Sequence, residues 1–388
     1  MEIAPRLRRL GKWEHIWLCL LLLVVLAMHF AVITRPDEPM FDEKYYVPDA
    51  KSILEGNGTS RPEHPPLGKL LIASGILVFG DNPVGWRFPS VVFGALGIVL
   101  FYLICRRLAM PRTGTFLAVF LLVLENLTFV QASVAMLDVY SVTLMLLTFW
   151  LYLRGDFPLA AVSVGLSILV KLTGVLALLA VVLHWLISGR SRPWHFISSM
   201  FLVPVSVLLL LPLFDFMVSG RLVDPISSIQ TMTSLSSTLT FSNTDYPYLS
   251  RPWDWIMRPL MMPYWYEPHY TAAISFTVWA LIVPVMLYMV FRAIRHSNAA
   301  LFSIAWLVGT YLVWIPLSVL TDRISFVYYF YPTIGAVCIA LGLGFSRLID
   351  IWRVKEKSRV GRLAMAVVVS YLVLHITVSI ILSPLSNL

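Results

Sequence analysis

Two groups of charged residues stand in the first polar stretch of this chain. One is Met40-Phe41-Asp42-Glu43, the other Arg61-Pro62-Glu63-His64-Pro65-Pro66-Leu67-Gly68-Lys69. They follow directly on the hydrophobic run Ile16–Ile33, and carboxylates held against a membrane surface suggest chemistry on a lipid-borne or translocated substrate. Adjacent residues point in divergent directions, so one of Asp42 and Glu43 could face a site while the other orients a neighbour or holds a metal. The plainer alternative is a pair of solvated loop acids, although apolar Met40-Phe41 and aromatic Tyr45-Tyr46 flank them. Pro65-Pro66 fix an extended entry into the apolar segment that Leu67 begins. That brings His64 and Lys69 to a helix N-terminus, where phosphate binds favourably; the alternative is a proline-led helix start with a snorkelling lysine. Three further charges, Arg87, Asp138 and Lys171, lie near the ends of apolar runs, with Glu125-Asn126 and Gln131 at similar depth. Charges in membrane segments are functional candidates by default, the competing reading being a structural ion pair of Asp138 with Lys171 or Arg87.

The elements that must position these residues are membrane helices. Of the 388 residues 59% are hydrophobic and 13% charged, the mean hydropathy is +0.81, and apolar runs of about 20 residues recur. We expect spans at 14–34, 86–105, 113–130, 134–153, 157–170, 172–188, 195–218, 271–291, 299–319, 324–346 and 363–383. The first run resembles a signal peptide in its basic lead, but Arg35-Pro36-Asp37 follows it in place of a small-residue cleavage pattern, so it reads as a retained span. Leu67–Gly80 is too short to cross about 30 Å of hydrocarbon and is expected to lie along the outer surface as an interfacial helix. With the N-terminus in the cytoplasm, inner segments then hold 18 of the 29 Lys and Arg and five of the 21 acids. That asymmetry follows the positive-inside rule and puts the C-terminus and the polar clusters on the outer face. The net charge of +8 is therefore an orientation signal and not a nucleic-acid surface. Cys19, Cys105 and Cys338 sit in apolar runs and read as small core residues.

Two outer loops are long, 35–85 and 219–270, and no separate soluble domain, repeat or low-complexity tract is evident. The second loop carries Tyr246-Pro247-Tyr248 and Pro263-Tyr264-Trp265-Tyr266-Glu267-Pro268-His269-Tyr270. These aromatics suit either an interfacial belt or a platform for sugar rings or an acceptor. Taken from the residues alone, a transporter, a scramblase and a lipid-dependent enzyme all remain open.

In the same residues the chain resembles the protein O-mannosyltransferases. Asp42-Glu43 is similar to that family's paired acids in the first outer loop, and His64-Pro65-Pro66-Leu67-Gly68-Lys69 to its His-Pro-Pro-Leu-Gly-Lys motif. Arg87-Phe88-Pro89-Ser90 with Phe93-Gly94-Ala95-Leu96, Glu125-Asn126, Gln131-Ala132-Ser133, Leu137-Asp138 and Lys171-Leu172-Thr173-Gly174 follow in the family's order. The resemblance covers about 40–180, with weaker similarity in 246–265 and 328–332. There are departures. Pro62 stands where the family commonly has an acid, with Glu63 displaced by one position; Leu172 replaces a tryptophan; and the loops have no room for the β-trefoil domain of eukaryotic members. The pattern is that of a compact prokaryotic form. Lipid A aminoarabinose transferases carry a similar Asp-Glu but typically Lys-Pro-Pro-Leu, so His64 favours the mannosyltransferase side.

The resemblance implies an all-α GT-C fold and inverting transfer of mannose from polyprenyl or dolichyl phosphate to Ser or Thr of secreted or membrane proteins. On it, Asp42 is expected to be the base, with Glu43 orienting acceptor or sugar. Arg87 and Lys171 would meet the donor phosphate, with Lys69 and His64 secondary, and Asp138, Glu125 and Glu63 supporting. The resemblance does not clearly call for a cofactor; a divalent cation is an alternative, as is a dimer. The rival functions are an aminoarabinose-transferase-like enzyme acting on lipid or glycan, and a lipid or sugar transporter.

Overall fold

A computed structural model describes residues 4–189 and 193–387, with side chains from residue 15 to 386. The side chains of Arg6, Arg8, Arg9 and Lys12, and residues Arg190 and Arg192, all counted above as inner charges, lie outside the described part. The chain runs through α1 (Ala4–Val32), α2 (Glu43–Leu54), α3 (Pro66–Phe79), α4 (Pro83–Arg107), α5 (Arg112–Val123), α6 (Asn126–Ser133) and α7 (Leu137–Arg154). It continues through α8 (Phe157–Val170), α9 (Leu176–Ser188), α10 (Pro193–Met200), α11 (Leu202–Ser219), α12 (Pro225–Ser237) and α13 (Asp254–Met257). A hairpin of β1 (Met262–Trp265) and β2 (Tyr270–Ala272) precedes α14 (Phe276–Trp279), α15 (Ile282–Ile294), α16 (Asn298–Leu307), α17 (Trp314–Thr321), α18 (Ile334–Val354) and α19 (Arg359–Leu382).

Among the described residues seven helical stretches are long and apolar enough to cross a membrane, or eight if α5 and α6 count as one broken span. The other expected spans fall on shorter apolar helices, at 157–170, 172–188 and 282–294. The chain is a multi-pass membrane protein. α7 is the most enclosed of the long helices and packs between α4 and α8, whereas α1, α10–α11 and α19 line the periphery.

Two expected spans are interrupted, each for a local reason, and the break between a further two falls at Lys171. The run 113–130 bends by 53° between α5 and α6. There the Glu125 carboxylate accepts the Thr128 N–H (2.9 Å) as an N-cap, ending one helix and starting another. The run 271–291 is no single helix: its first residues pair in the β1–β2 hairpin, Met262 opposite Ala272, before α14 and α15 begin. Between α8 and the 3-10 turn Leu172–Val175, Lys171 is extended (φ −153°), which turns its side chain out of the helical stack.

The first outer stretch is ordered by its caps. Pro66 stands at the first turn of α3, and Asn82 caps α4 by accepting from Val84 and Gly85 N–H (3.0 and 3.2 Å), with Pro83 at its first position. α3 and α4 cross closely at Gly75 and Gly85, since a Cβ on Gly75 would collide with the Gly85 carbonyl oxygen. α3 thus buries Ile72, Ala73 and Ile76 against its neighbours and leaves Leu77, Val78 and Phe79 exposed.

Candidate active site

The two adjacent acids part company. Glu43 opens α2 and is fully buried; its Oε1 accepts from Arg87 Nε (2.9 Å) and the Ala135 N–H (2.7 Å). Its Oε2 accepts from Arg87 Nη2 (2.9 Å) and the Met40 N–H (3.0 Å). Arg87, also fully buried, gives its remaining donors to the carbonyls of Ile33 (3.0 Å), Pro36 (2.7 Å) and Glu38 (3.1 Å). All five guanidinium N–H groups are engaged within the protein. Arg87 therefore pins the end of α1 and the following loop to α4, and Glu43 is its counter-charge. Both side chains, expected from the sequence at a phosphate and at a sugar, are here engaged with each other and with the backbone.

Lys69 is a second clasp. It is 1% exposed, and its Nζ donates to Thr59 Oγ1 (2.7 Å) and the Arg61 carbonyl (2.8 Å), with Asp49 Oδ2 at 3.3 Å. Asp49 in turn accepts from Thr59 Oγ1 (2.6 Å) and the Ser60 N–H (2.7 Å). Lys69, expected from the sequence near the phosphate, here fastens the loop 59–61 onto α2 and α3. Glu125 is likewise structural: beyond capping α6 it accepts the Ser275 N–H (2.9 Å), while Asn126 donates to the Thr271 carbonyl. That joint ties the β1–β2 hairpin to α6.

Asp42 is left free. It sits half-buried at the N-cap of α2, and its carboxylate makes no hydrogen bond or ion pair among the described residues. Burial pushes its pKa up to about 7; the Lys171 ammonium and Arg61 pull it down, and the Asp138 carboxylate adds to the rise. Lys171 donates to both oxygens of Asp138 at 2.8 Å, so of the two structural pairings considered for Asp138 the one with Lys171 is present. An ammonium has three N–H groups, and this pairing uses two. Its Nζ also lies 5.5 and 5.3 Å from the ring centres of Tyr328 and Tyr329.

His64 Nε2 is 3.2 Å from the Tyr46 hydroxyl. Burial, followed by the charges of Lys171, Lys69, Arg323 and Arg61, lowers its pKa to about 3, so at neutral pH it is an uncharged hydrogen-bonding group. Glu63 faces Arg61 at 3.7 Å, and the Arg61 guanidinium lies over the Tyr45 ring (4.3 Å). The Arg323 guanidinium has no hydrogen-bond or ion-pair partner among the described residues. Beside His64 a cavity of about 210 Å³ runs between the 59–69 loop and α11–α12, lined among others by Asp215, Ser228 and Thr231.

The sequence reading missed Arg61 and Arg323 as cations near this centre. It also left Tyr264 as one member of an aromatic stretch, and Tyr328 and Tyr329 as part of a segment of weaker similarity. The signal for the tyrosines was compositional only; nothing local marks which of many rings fold inward.

The arrangement of helices is that of the GT-C glycosyltransferases. The protein O-mannosyltransferase complex of S. cerevisiae, solved with its sugar donor, superposes with a TM-score of 0.71 over 94% of this chain and 89% of that one. At 11% identity the likeness is one of fold. Residues 63–217 match the family model described as dolichyl-phosphate-mannose-protein mannosyltransferase. Over residues 63–217 the chain is thus similar to the protein O-mannosyltransferases, in the region where most of its motifs lie. A polyprenol-phosphate-mannose–protein mannosyltransferase of Mycolicibacterium smegmatis is 36% identical over 115 residues, covering 28% of this chain and 22% of that protein. An undecaprenyl phosphate-alpha-4-amino-4-deoxy-L-arabinose arabinosyl transferase of Pseudomonas aeruginosa is 35% identical over 106 residues, 25% of this chain and 19% of that protein. The chain spans about a fifth of the length of these relatives.

Proposed function

We propose that the protein is an inverting glycosyltransferase that moves mannose from a polyprenyl or dolichyl phosphate to Ser or Thr hydroxyls of secreted or membrane proteins. The observation that carries this reading is the free, half-buried Asp42 carboxylate facing the Lys171–Asp138 pair. Asp42 takes the proton of the acceptor hydroxyl as that oxygen bonds to the anomeric carbon, and the bond from carbon to phosphate oxygen breaks with its electron pair. The departing lipid phosphate needs cations. With Arg87 and Lys69 engaged elsewhere, these are the third N–H of Lys171, Arg61 and Arg323, with neutral His64 as a hydrogen-bond donor. The cavity beside His64, with Val218, Val223 and Met232 in its lining, is the route in for the lipid head group.

In this reading the whole chain is one GT-C unit with eleven crossings, the short apolar helices 157–170, 172–188 and 282–294 included. α3 lies at the outer interface. The N-terminus is cytoplasmic, and the candidate site opens on the outer face. The match to the Pseudomonas arabinosyl transferase keeps one second reading, transfer of an amino-pentose to a lipid or glycan. One assay separates these: purified protein with labelled polyprenyl phosphate mannose and a Ser/Thr peptide, in parallel with a polyprenyl phosphate 4-amino-arabinose donor and a lipid acceptor. Mannosylated peptide supports the proposal. Label on the lipid acceptor alone supports the second reading, and flux without any glycosylated product would make the protein a transporter.

A further inference from the structure

The β1–β2 hairpin lies far from Asp42 in sequence, yet it delivers the ring that packs on Asp42's own neighbour. Tyr264, on β1, is 5% exposed and stacks face to face on Phe41, with ring centres 4.1 Å apart and planes within 4°. Tyr328 meets both rings edge-on, at 5.8 Å from Phe41 and 6.2 Å from Tyr264. The Tyr264 hydroxyl accepts from Gln131 Nε2 (2.9 Å), and Gln131 is fully buried on α6. Phe41 itself has φ +45°, a left-handed conformation that a phenylalanine adopts only when its surroundings impose it. Asp42 follows immediately, and its side chain has no hydrogen bond or ion pair of its own to fix it.

We propose that Tyr264 is a positioning residue for the base: by stacking on Phe41 it holds the strained backbone turn that aims the Asp42 carboxylate at the acceptor hydroxyl and closes that carboxylate off from water. The inference rests on the reading of Asp42 as base. Gln131 sets the height of the Tyr264 ring from beneath, and Tyr328 blocks its escape sideways. The second outer loop is on this account part of the catalytic apparatus through its hairpin.

The groups that face Asp42 electrostatically are Lys171, Asp138 and Arg61, with the hydroxyls of Tyr46, Tyr264 and Tyr328 also coupled to it. Tyr264→Leu removes the stack and leaves the charged members in place. Turnover should fall by about 100-fold, the scale expected when a reacting group is misplaced by roughly an ångström, while the donor KM stays near the wild-type value. The acid limb of the pH–rate profile should move to lower pH, because water admitted to Asp42 relieves the burial that raises it. Tyr264→Phe keeps the ring and should recover most of the turnover. Phe41→Leu removes the other half of the stack, gives a second reading if Tyr264→Leu does not fold, and combined with it should cost little more than either alone.

Near-wild-type turnover in Tyr264→Leu, a loss confined to KM with an unmoved acid limb, or fully additive losses in the pair would each overturn the inference. Its failure is distinguishable from failure of the base itself. If Asp42→Asn is inactive while Tyr264→Leu and Phe41→Leu turn over normally, the base stands and the positioning role falls.

Discussion

Replacing Arg87 by alanine tests how the structure divides its buried charges. The wild-type guanidinium makes five hydrogen bonds, two to Glu43 and three to backbone carbonyls, with neither partner of the ion pair exposed. Arg87→Ala leaves Glu43 as a buried carboxylate held only by the Met40 and Ala135 N–H groups, and leaves the Ile33 and Pro36 carbonyls without this donor. Breaking a buried pair by removing one partner costs about 3–5 kcal/mol. The variant should therefore unfold at a clearly lower temperature in detergent and accumulate poorly in membranes. Its folded fraction should bind donor with nearly wild-type affinity. Arg87→Lys should fall between, since an ammonium cannot reproduce the fork that spans Glu43 and three carbonyls. The double variant Arg87→Met/Glu43→Gln, which removes both charges, should lose less stability than the two single changes added together. The assay is thermal unfolding of each purified variant, with titration of a polyprenyl phosphate donor analogue on the folded fraction. An Arg87→Ala protein that unfolds at the wild-type temperature but no longer binds the analogue would refute this assignment and return Arg87 to the phosphate.

Three further outcomes follow from the same geometry. Asp42 must be ionised to act as base, and its pKa is raised to about 7, so turnover should climb with pH through about 7. Lys171→Met removes the cation that favours the ionised form and should shift the rise to higher pH; a shift to lower pH would contradict the placement of Lys171 beside Asp42. Lys69→Met leaves the buried Asp49 without its counter-charge and should cost about 3–5 kcal/mol of stability, read by thermal unfolding. Donor affinity in its folded fraction should change little.

The class of fold was legible because membrane helices write their apolar faces into composition, and the order of motifs from Asp42 to Gly174 carried the resemblance to the protein O-mannosyltransferases. The breaks were less legible. Nothing in the apolar run 113–130 announces that Glu125 will cap a second helix, and 271–291 is hydrophobic enough to span although its start folds into a hairpin. Charge type alone could not assign the site. Asp42 and Glu43 are neighbours of like chemistry, and only the tertiary partners separate a free carboxylate from a saturated one. The same holds for the cations, because Arg87 and Lys69 stand in the most recognisable motifs yet are bound internally. Arg61, at the head of the His64 cluster, and Arg323, far along the chain, instead bring their charges toward the centre. Tyr264 and Phe41 meet across 223 positions of sequence, a pairing that no periodicity encodes.

The central claim is that Asp42 is the base, and Asp42→Asn tests it most directly. The substitution is nearly isosteric and removes the proton acceptor. A carboxyl whose pKa is raised in the folded protein is destabilising once ionised, above its unfolded value, so the asparagine variant should be at least as stable as wild type at pH 8. Measured with labelled polyprenyl phosphate mannose and a Ser/Thr peptide, transfer should be abolished while donor binding and thermal stability are retained. Turnover at the wild-type rate by that folded variant would contradict the account.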